Sequence, residues 1–397
     1  MISDKRKIIE KGYYDVVVVG GGIAGIAAAV SAARNGIKTL LIEKSVNLGG
    51  LATSGLISWY EPLCDGKGTQ VIFGIAEELI KLCAKYSFEN LPKRWGGEEK
   101  NKPRNERYST FYSPTVFTLA LDEYVLENGV DLRFDTLATY PVMDKNRCCG
   151  VIVESASGKE YFEAGVVIDA TGDASVMHRA GVPTVIGENY MTYICHMFNM
   201  EDTEKLLKDN DICKFRRWVN TGSDLFGNGH PQGMKKLTGE SAEEITNYVI
   251  AGKHALLNKV RKENKNGFDI MTLPTMPQFR TIRRIIGKTD FNAIDGEKFA
   301  DNIGNTSDFR YSEGRRYQIP FGALYNENFP NLIAAGRIIS SPQGDGWEIA
   351  RVIPNCALTG EAAGNAASLI IKNKCAVKDV DIQKLQKMQE NNGICLN

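Results

Sequence analysis

No two of the nine cysteines (64, 83, 148, 149, 195, 213, 356, 375 and 395) are spaced C-x-x-C, and their number is odd. The ligand spacings of zinc and iron–sulfur centres are therefore missing, as is a disulfide framework, which leaves reduced thiols in a cytosolic protein as the reading. Net charge is missing too. Forty-eight basic residues balance 48 acidic ones, so no global field recruits nucleic acid or an anionic membrane, and neither is expected as a partner. The short charged start, with Lys5, Arg6, Lys7 and Lys11, lacks the apolar run of a secretory leader. The stretch that resembles a membrane span, Val16 to Ala33, is interrupted by a glycine triplet and reads better as strand, turn and helix. A cytoplasmic location is the expectation.

What the chain does have begins at that triplet. Gly20-Gly21-Gly22-Ile23-Ala24-Gly25 follows the apolar run Val16 to Val19 and opens into Ile26-Ala27-Ala28-Ala29, and Glu43 closes a second apolar run, Thr39 to Ile42. Each part suits a dinucleotide. Gly20 permits a tight turn, Gly22 lets backbone approach a pyrophosphate, and Gly25 allows close helix–strand packing. The phosphates meet unpaired N–H groups at the helix N-terminus, and Glu43 stands where a carboxylate accepts from ribose hydroxyls. Ala29 continues the small-residue face, and Gly36 suits a left-handed helix end.

At 397 residues there is room for two or three domains. Helical spacing over Gln70 to Tyr86 predicts an amphipathic helix, and Ser113-Pro114 starts another, to about Asn128. Between them, the polar stretch Pro92 to Arg107 reads as an exposed loop. Short strands are expected at Asp131 to Phe134, Ala138 to Met143, Cys149 to Ser155, Glu160 to Ala164 and Val166 to Asp169. From Val185 to Tyr325 the apolar runs become irregular, with a capping box at Ser241 to Glu244 opening a helix to about Asn264. Asn331 to Ala335 is again a buried strand, followed by an alanine- and glycine-rich helix, Ala357 to Ile371.

With Ala170-Thr171-Gly172-Asp173, the N-terminal unit resembles FAD-dependent oxidoreductases of the glutathione-reductase type. Gly49 to Gly55, Gln278-Phe279-Arg280 to Gly287, and Ala335-Gly336-Arg337 to Gly364 are similar to the broad FAD-dependent family related to fumarate reductases. The resemblance implies an α/β fold: a Rossmann-like FAD-binding domain from 1–60, 110–185 and 326–375, and an inserted α+β substrate or cap domain from 61–109 and 186–325. Residues 376–397 are left as a C-terminal tail. It implies cofactor contacts at Gly20, Gly22, Ile23, Ala24, Gly25, Glu43, Lys44, Gly50, Leu51, Thr53, Ala138, Thr171, Gly172, Asp173, Gly336, Arg337 and Arg351. Where many relatives have Gly-Asp after the last strand, Gly336 is followed by Arg337, so Asp345 is a further candidate. No histidine follows Gly49-Gly50 where fumarate-reductase relatives attach flavin, so the FAD is expected to be non-covalent. A helix N-terminus near Pro354-Asn355 would stabilise negative charge at flavin N1 and O2, with Gly360 and Gly364 permitting close approach to neighbours.

The expected reaction is hydride transfer between flavin N5 and a small organic substrate bearing a carboxylate or carbonyl. Arg280 and Arg283 are candidate substrate binders, because a guanidinium fork holds carboxylates bidentately. His196, in an apolar stretch, is a candidate acid or base. Disulfide reductases of this type need a redox cysteine pair and a second dinucleotide motif, and both are missing. Reduction by NAD(P)H would then use a transient site, a separate reductase or an electron-carrier protein. Two other classes share the cofactor motifs: a redox-sensing or partner-recruiting flavin module, and an RNA-modifying flavoenzyme, which the balanced charge disfavours.

Overall fold

Four consecutive buried valines, Val16–Val19, need apolar neighbours on both faces, which only the centre of a parallel sheet supplies. In the computed structural model, which describes all residues except 1–6, 87–90, 92, 96–107, 211–216, 264–266, 312 and 397, they lie there. The first half of the chain runs β1 (Ile9–Val19), α1 (Ile23–Arg34), β2 (Thr39–Ile42), β3 (Trp59–Tyr60), α2 (Ile75–Lys85), β4 (Thr110–Phe111), α3 (Pro114–Glu127), β5 (Asp131–Arg133), β6 (Leu137–Asp144), β7 (Arg147–Ser155), β8 (Gly158–Asp169) and α4 (Ser175–Arg179). It continues through β9 (Thr184–Ile186), β10 (Ile194–Asn199), α5 (Met200–Asp209), β11 (Arg217–Asn220), α6 (Ala242–Glu263), β12 (Phe268–Thr272) and β13 (Arg283–Ile285). The last part holds β14 (Asn302–Thr306), β15 (Tyr317–Pro320), β16 (Leu332–Ala334), α7 (Asp345–Ala350), α8 (Ile353–Asn373) and α9 (Ile382–Asn391). Of the loop expected at 92–107, Lys93–Trp95 forms a 3-10 turn and the rest lies outside the described residues.

The main sheet has the order β5-β2-β1-β8-β7-β6, with β16 also pairing β8. β5, β2, β1, β8 and β16 are mutually parallel, while β6, β7 and β8 form an antiparallel meander. The strands expected at Glu160–Ala164 and Val166–Asp169 are one strand. Its first half closes a hairpin with β7, Ser155 facing Gly158, and its second half runs beside β1 and β16.

α1 is sandwiched between this sheet and α8. A Cβ on Gly360 would lie 2.1 Å from the Ala24 carbonyl oxygen, and one on Gly364 would lie 2.3 Å from that of Ala28. The two helices therefore touch backbone to backbone, and nearly every residue of α8 is buried. In α6 the Ser241 hydroxyl accepts from the Glu244 amide (3.1 Å), as a capping box requires. The Glu244 carboxylate turns instead to the amides of Thr238 (2.7 Å) and Gly239 (2.6 Å).

A second, smaller core forms around the antiparallel sheet β11-β10-β12 and α6, from Met191, Tyr193, Cys195, Met197, Val219, Leu237, Tyr248, Leu256, Phe268, Phe279 and Ile282. This is narrower than the expected cap of 61–109 and 186–325. Ile75, Leu79 and Ile80 of α2, and Ile285, Ile303, Ile319 and Phe321, pack in the main core. Val377, Val380, Leu385 and Ile394 of the tail at 376–397 pack in the main core. α9 docks on α8, where the Asn365 amide donates to Gln389 Oε1 (2.6 Å) and the Asn392 amide to Glu361 Oε1 (2.8 Å).

Glu361 also accepts from the first amide of α2, at Ile75 (2.7 Å), so one buried carboxyl joins three helices. Burial pushes its pKa up to about 7, against the opposing hydrogen bonds, with Glu78 and Arg34 nearby. The folded state thus binds a proton that the unfolded chain releases near 4.5. The stability this group adds is full below that value and is lost as pH rises through about 7. Glu361→Gln should melt like the wild type at pH 5 and above it at pH 8, provided Asn392 turns its amide over to accept from the new NH2. Parallel melting curves across that range would remove Glu361 as a source of pH dependence.

Candidate functional site

The carboxyl ends of the parallel strands open on a single cleft, the usual ligand position in open α/β sheets. The first turn contributes Gly20, Gly22, Ile23 and Ala24, and Glu43, Lys44 and Ser45 follow β2. Gly49 to Ala52 and Ser54 form the floor, Ala170 to Asp173 follow β8, Ala335 to Arg337 follow β16, Arg351 ends α7, and Ile353 and Cys356 come from the start of α8. The facing wall comes from the second core and its approach, with Gly239, Ile245, Thr275, Met276, Pro277, Phe279 and Ile282.

The residues of the first wall fit FAD. A Cβ on Gly25 would sit 1.8 Å from the Gly20 carbonyl oxygen, so only glycine lets α1 start this close to β1. A Cβ on Gly22 would meet nothing within 4 Å, so the space over the turn is open on the cleft side. No side chain caps α1, and its first amides are free to face a pyrophosphate. Glu43 is 9% exposed, and its carboxylate accepts from the Gly21 amide (2.7 Å) and the Ser45 amide (2.8 Å). Lone pairs remain on both oxygens for ribose hydroxyls. The Ser54 hydroxyl oxygen is buried without a partner in the cleft floor, and α8 likewise begins without a side-chain cap. Glu43→Ala should weaken FAD binding by about 1–3 kcal/mol, as loss of a charged acceptor does. Equilibrium dialysis of FAD against apoprotein checks this, and unchanged affinity would place the ribose elsewhere.

Behind the Ala170–Asp173 loop stands a residue whose sequence context shows only the end of a strand. Asp169 is fully buried and accepts from the Thr171 amide (3.0 Å), the Thr171 hydroxyl (2.6 Å) and the Met177 amide (2.8 Å). It shapes the loop and ties it to α4. Burial pushes its pKa up to about 6, and those hydrogen bonds hold it from rising further. Burial would also raise Asp173, but the Thr171 hydrogen bond, the charge of Lys44 and the hydrogen bond from Ser175 keep it below the usual carboxylate range. Arg337 donates to the Gly172 carbonyl (2.7 Å), so it pins this loop from the β16 side.

Several expected contacts lie away from the cleft. The Thr53 hydroxyl is turned inward to the Leu48 carbonyl, while its neighbours Gly50, Leu51 and Ser54 line the cleft. Ala138 offers its carbonyl to Arg179 (3.3 Å). Asp345 pairs with Arg310 (2.7 Å) at the start of α7. Arg283 is paired with Glu240 (2.6 Å), a structural acid of the second unit. His196, 1% exposed, accepts at Nε2 from the Trp218 indole (2.8 Å), which also reaches the Leu56 carbonyl (3.0 Å). Ser58 Oγ lies 3.3 Å from the same nitrogen, so the ring proton is assigned to Nδ1 and the histidine joins the small sheet to the Leu56–Ser58 loop. Gln278 makes the same kind of bridge, donating to the Gly55 carbonyl (2.7 Å) and the Ile194 carbonyl (3.0 Å). The Arg280 guanidinium has no hydrogen-bond or ion-pair partner among the described residues. Burial, then the charge of Arg351, brings its pKa down to about 10.

The chain is similar to the digeranylgeranylglycerophospholipid reductase of Methanoculleus marisnigri, 28% identical over 217 residues, which are 49% of this chain and 47% of that protein. A reductase of the same name from Methanococcoides burtonii is 30% identical over 190 residues, 44% of this chain and 42% of that one. The chain thus matches less than half the length of these curated relatives. Among solved structures, a geranylgeranyl bacteriochlorophyll reductase-like protein from Thermoplasma acidophilum aligns with a TM-score of 0.46 and 16% identity, covering 96% of this chain and 83% of that one. Residues 15–281 and 273–389 match the family described as FAD dependent oxidoreductase, and the chain belongs to that family.

Proposed function

We propose that the protein moves a hydride between bound flavin and a small organic substrate held against the second unit, and that the substrate carries a carboxylate or a polarised carbonyl. The observation that carries this reading is the make-up of the cleft: cofactor-type loops on one side, and Thr275, Met276, Pro277, Phe279 and Ile282 on the other. FAD supplies a two-electron hydride carrier when bound. The chain's own part is positional. Glu43, the first amides of α1 and the Ala170–Asp173 loop hold the cofactor's adenosine and phosphates, and the start of α8 favours negative charge at the far end. Met276, Pro277 and Phe279 exclude water from the reacting face, and Arg280 supplies an unpaired cation close by. The names of the relatives favour the reductive direction.

Electrons reach the flavin, on this reading, from a separate NAD(P)H-dependent reductase or a carrier protein. The sequence has no second glycine-rich dinucleotide motif to bind NAD(P)H itself. Among the described residues no helix is long and apolar enough to cross a membrane. An anaerobic screen of flavin bleaching and reoxidation against acids, enones, alcohols and amines tests the function. Reoxidation by an unsaturated acid or enone is the expected result. A flavin whose spectrum responds to none of the four classes would favour a redox-sensing module instead.

A further inference from the structure

We propose that Gln278 is a positioning residue: it holds the substrate-side wall of the cleft, with Pro277 and Phe279 on either side of it in the chain, at one fixed place above the cofactor loop. The proposal rests on the reading that substrate binds between that loop and that wall.

The wall has no regular secondary structure, since neither helix nor strand forms between the end of β12 at Thr272 and the start of β13 at Arg283. A buried irregular segment must find other partners for its polar groups, and those partners decide where it lies. Gln278, 5% exposed, works in two directions. Its Oε1 accepts from the Ile194 amide (2.7 Å) and its Nε2 donates to the Ile194 carbonyl (3.0 Å), so the side chain pairs with the first residue of β10 as a neighbouring strand would. The other Nε2 hydrogen goes to the Gly55 carbonyl (2.7 Å) of the cofactor loop. Turning the amide over would set its oxygen against two carbonyls, so one orientation remains.

The bond to Gly55 is the middle member of a strip. Ser54, Gly55 and Leu56 present three consecutive carbonyls, and these accept from the Thr275 amide (2.9 Å), from Gln278 and from the Trp218 indole (3.0 Å). The loop that carries them is stiff: the amides of Gly55 and Ile57 return to the carbonyls of Gly50 (3.1 Å) and Leu51 (3.0 Å), and a Cβ on Gly55 would lie 2.7 Å from Leu51 Cα. Gly50 and Leu51 line the cleft. At the far end of the wall, Asn189 Oδ1 accepts from the amides of Arg280 (2.9 Å) and Thr281 (3.0 Å). The wall is therefore strung between two clamps, and Gln278 is the side chain that refers it to the cofactor loop. Hydride transfer depends steeply on the separation of donor and acceptor, and a misplacement of about 1 Å costs roughly a hundredfold in rate.

The test compares flavin-loaded wild type with Gln278→Met, which keeps the shape of the side chain and removes its hydrogen bonds. Iodide quenching of flavin fluorescence reports how well the wall closes the cleft, without any turnover. Gln278→Met should retain its FAD and show a larger quenching constant. Where crotonate or cyclohexenone reoxidises the wild-type flavin, the rate should fall about a hundredfold in the variant. Gln389→Met is the control for stability alone, because Gln389 is equally buried but joins Asn365 (2.6 Å) and the Ile303 carbonyl (2.8 Å) away from the cleft. It should lower the melting temperature and leave quenching unchanged. Trp218→Phe, at a position 37% exposed, removes the third donor of the strip and should raise quenching more weakly, which decides the matter if Gln278→Met does not fold. Wild-type quenching in the folded Gln278 and Trp218 variants, or an equal rise in Gln389→Met, would overturn the proposal. If quenching rises as expected but neither acceptor reoxidises the wild-type flavin, the positioning role stands and the proposed reaction falls.

Discussion

Gly22→Val should yield a folded protein that purifies without flavin. Gly22 has extended backbone angles (φ −69°, ψ 175°) that valine adopts without strain, and nothing stands within 4 Å of its Cβ position. The new Cβ therefore meets no protein atom, and the side chain projects into the space over the first turn of α1. That space is where a pyrophosphate meets the free amides of the helix. FAD affinity should fall by about 4 kcal/mol or more, roughly a thousandfold. Melting of the apoprotein should remain close to that of wild-type apoprotein. Full flavin occupancy after dialysis would overturn the placement of the phosphate turn.

Gly360→Val should act in the opposite way, through the fold and only then on the cofactor. The added Cβ would lie 2.1 Å from the Ala24 carbonyl oxygen and 3.1 Å from its Cα, so backbone must move rather than a flexible side chain. Overpacking at a backbone contact destabilises by about 3 kcal/mol or more. Moving α8 also shifts Ile353 and Cys356 in the cleft wall, so flavin retention should drop along with stability. Denaturant unfolding of the apoprotein separates the two effects. A variant as stable as wild type would contradict the backbone contact between α1 and α8.

These contrasting glycines show what the sequence makes legible. Gly20, Gly22 and Gly25 with Glu43 specify a local unit, because strand, turn, helix and strand lie within one short stretch whose geometry needs those residue types. The helix at Ala357 to Ile371 and its close-approach glycines were readable for the same reason, although the helix begins earlier, at Ile353. Long-range pairing was not. Nothing local in Asp345 points to Arg310, nor in Arg283 to Glu240, nor in Thr53 to the carbonyl of Leu48. Asp169 was hidden because an acid ending an apolar strand gives no sign that it will accept from Thr171 and Met177 and shape the loop beyond. The docking of α9 on α8 depends on polar pairs, Asn365 with Gln389 and Glu361 with Asn392, that carry no hydrophobic periodicity to read.

A crystal structure of the protein with its flavin bound tests the central claim most directly. The account predicts adenosine at Glu43, pyrophosphate over Gly22 and the isoalloxazine edge at the start of α8. One face of the ring should be open toward Met276, Pro277 and Phe279, with space there for a small molecule. A flavin ring whose two faces are both covered by protein, or one that lies outside this cleft, would contradict it.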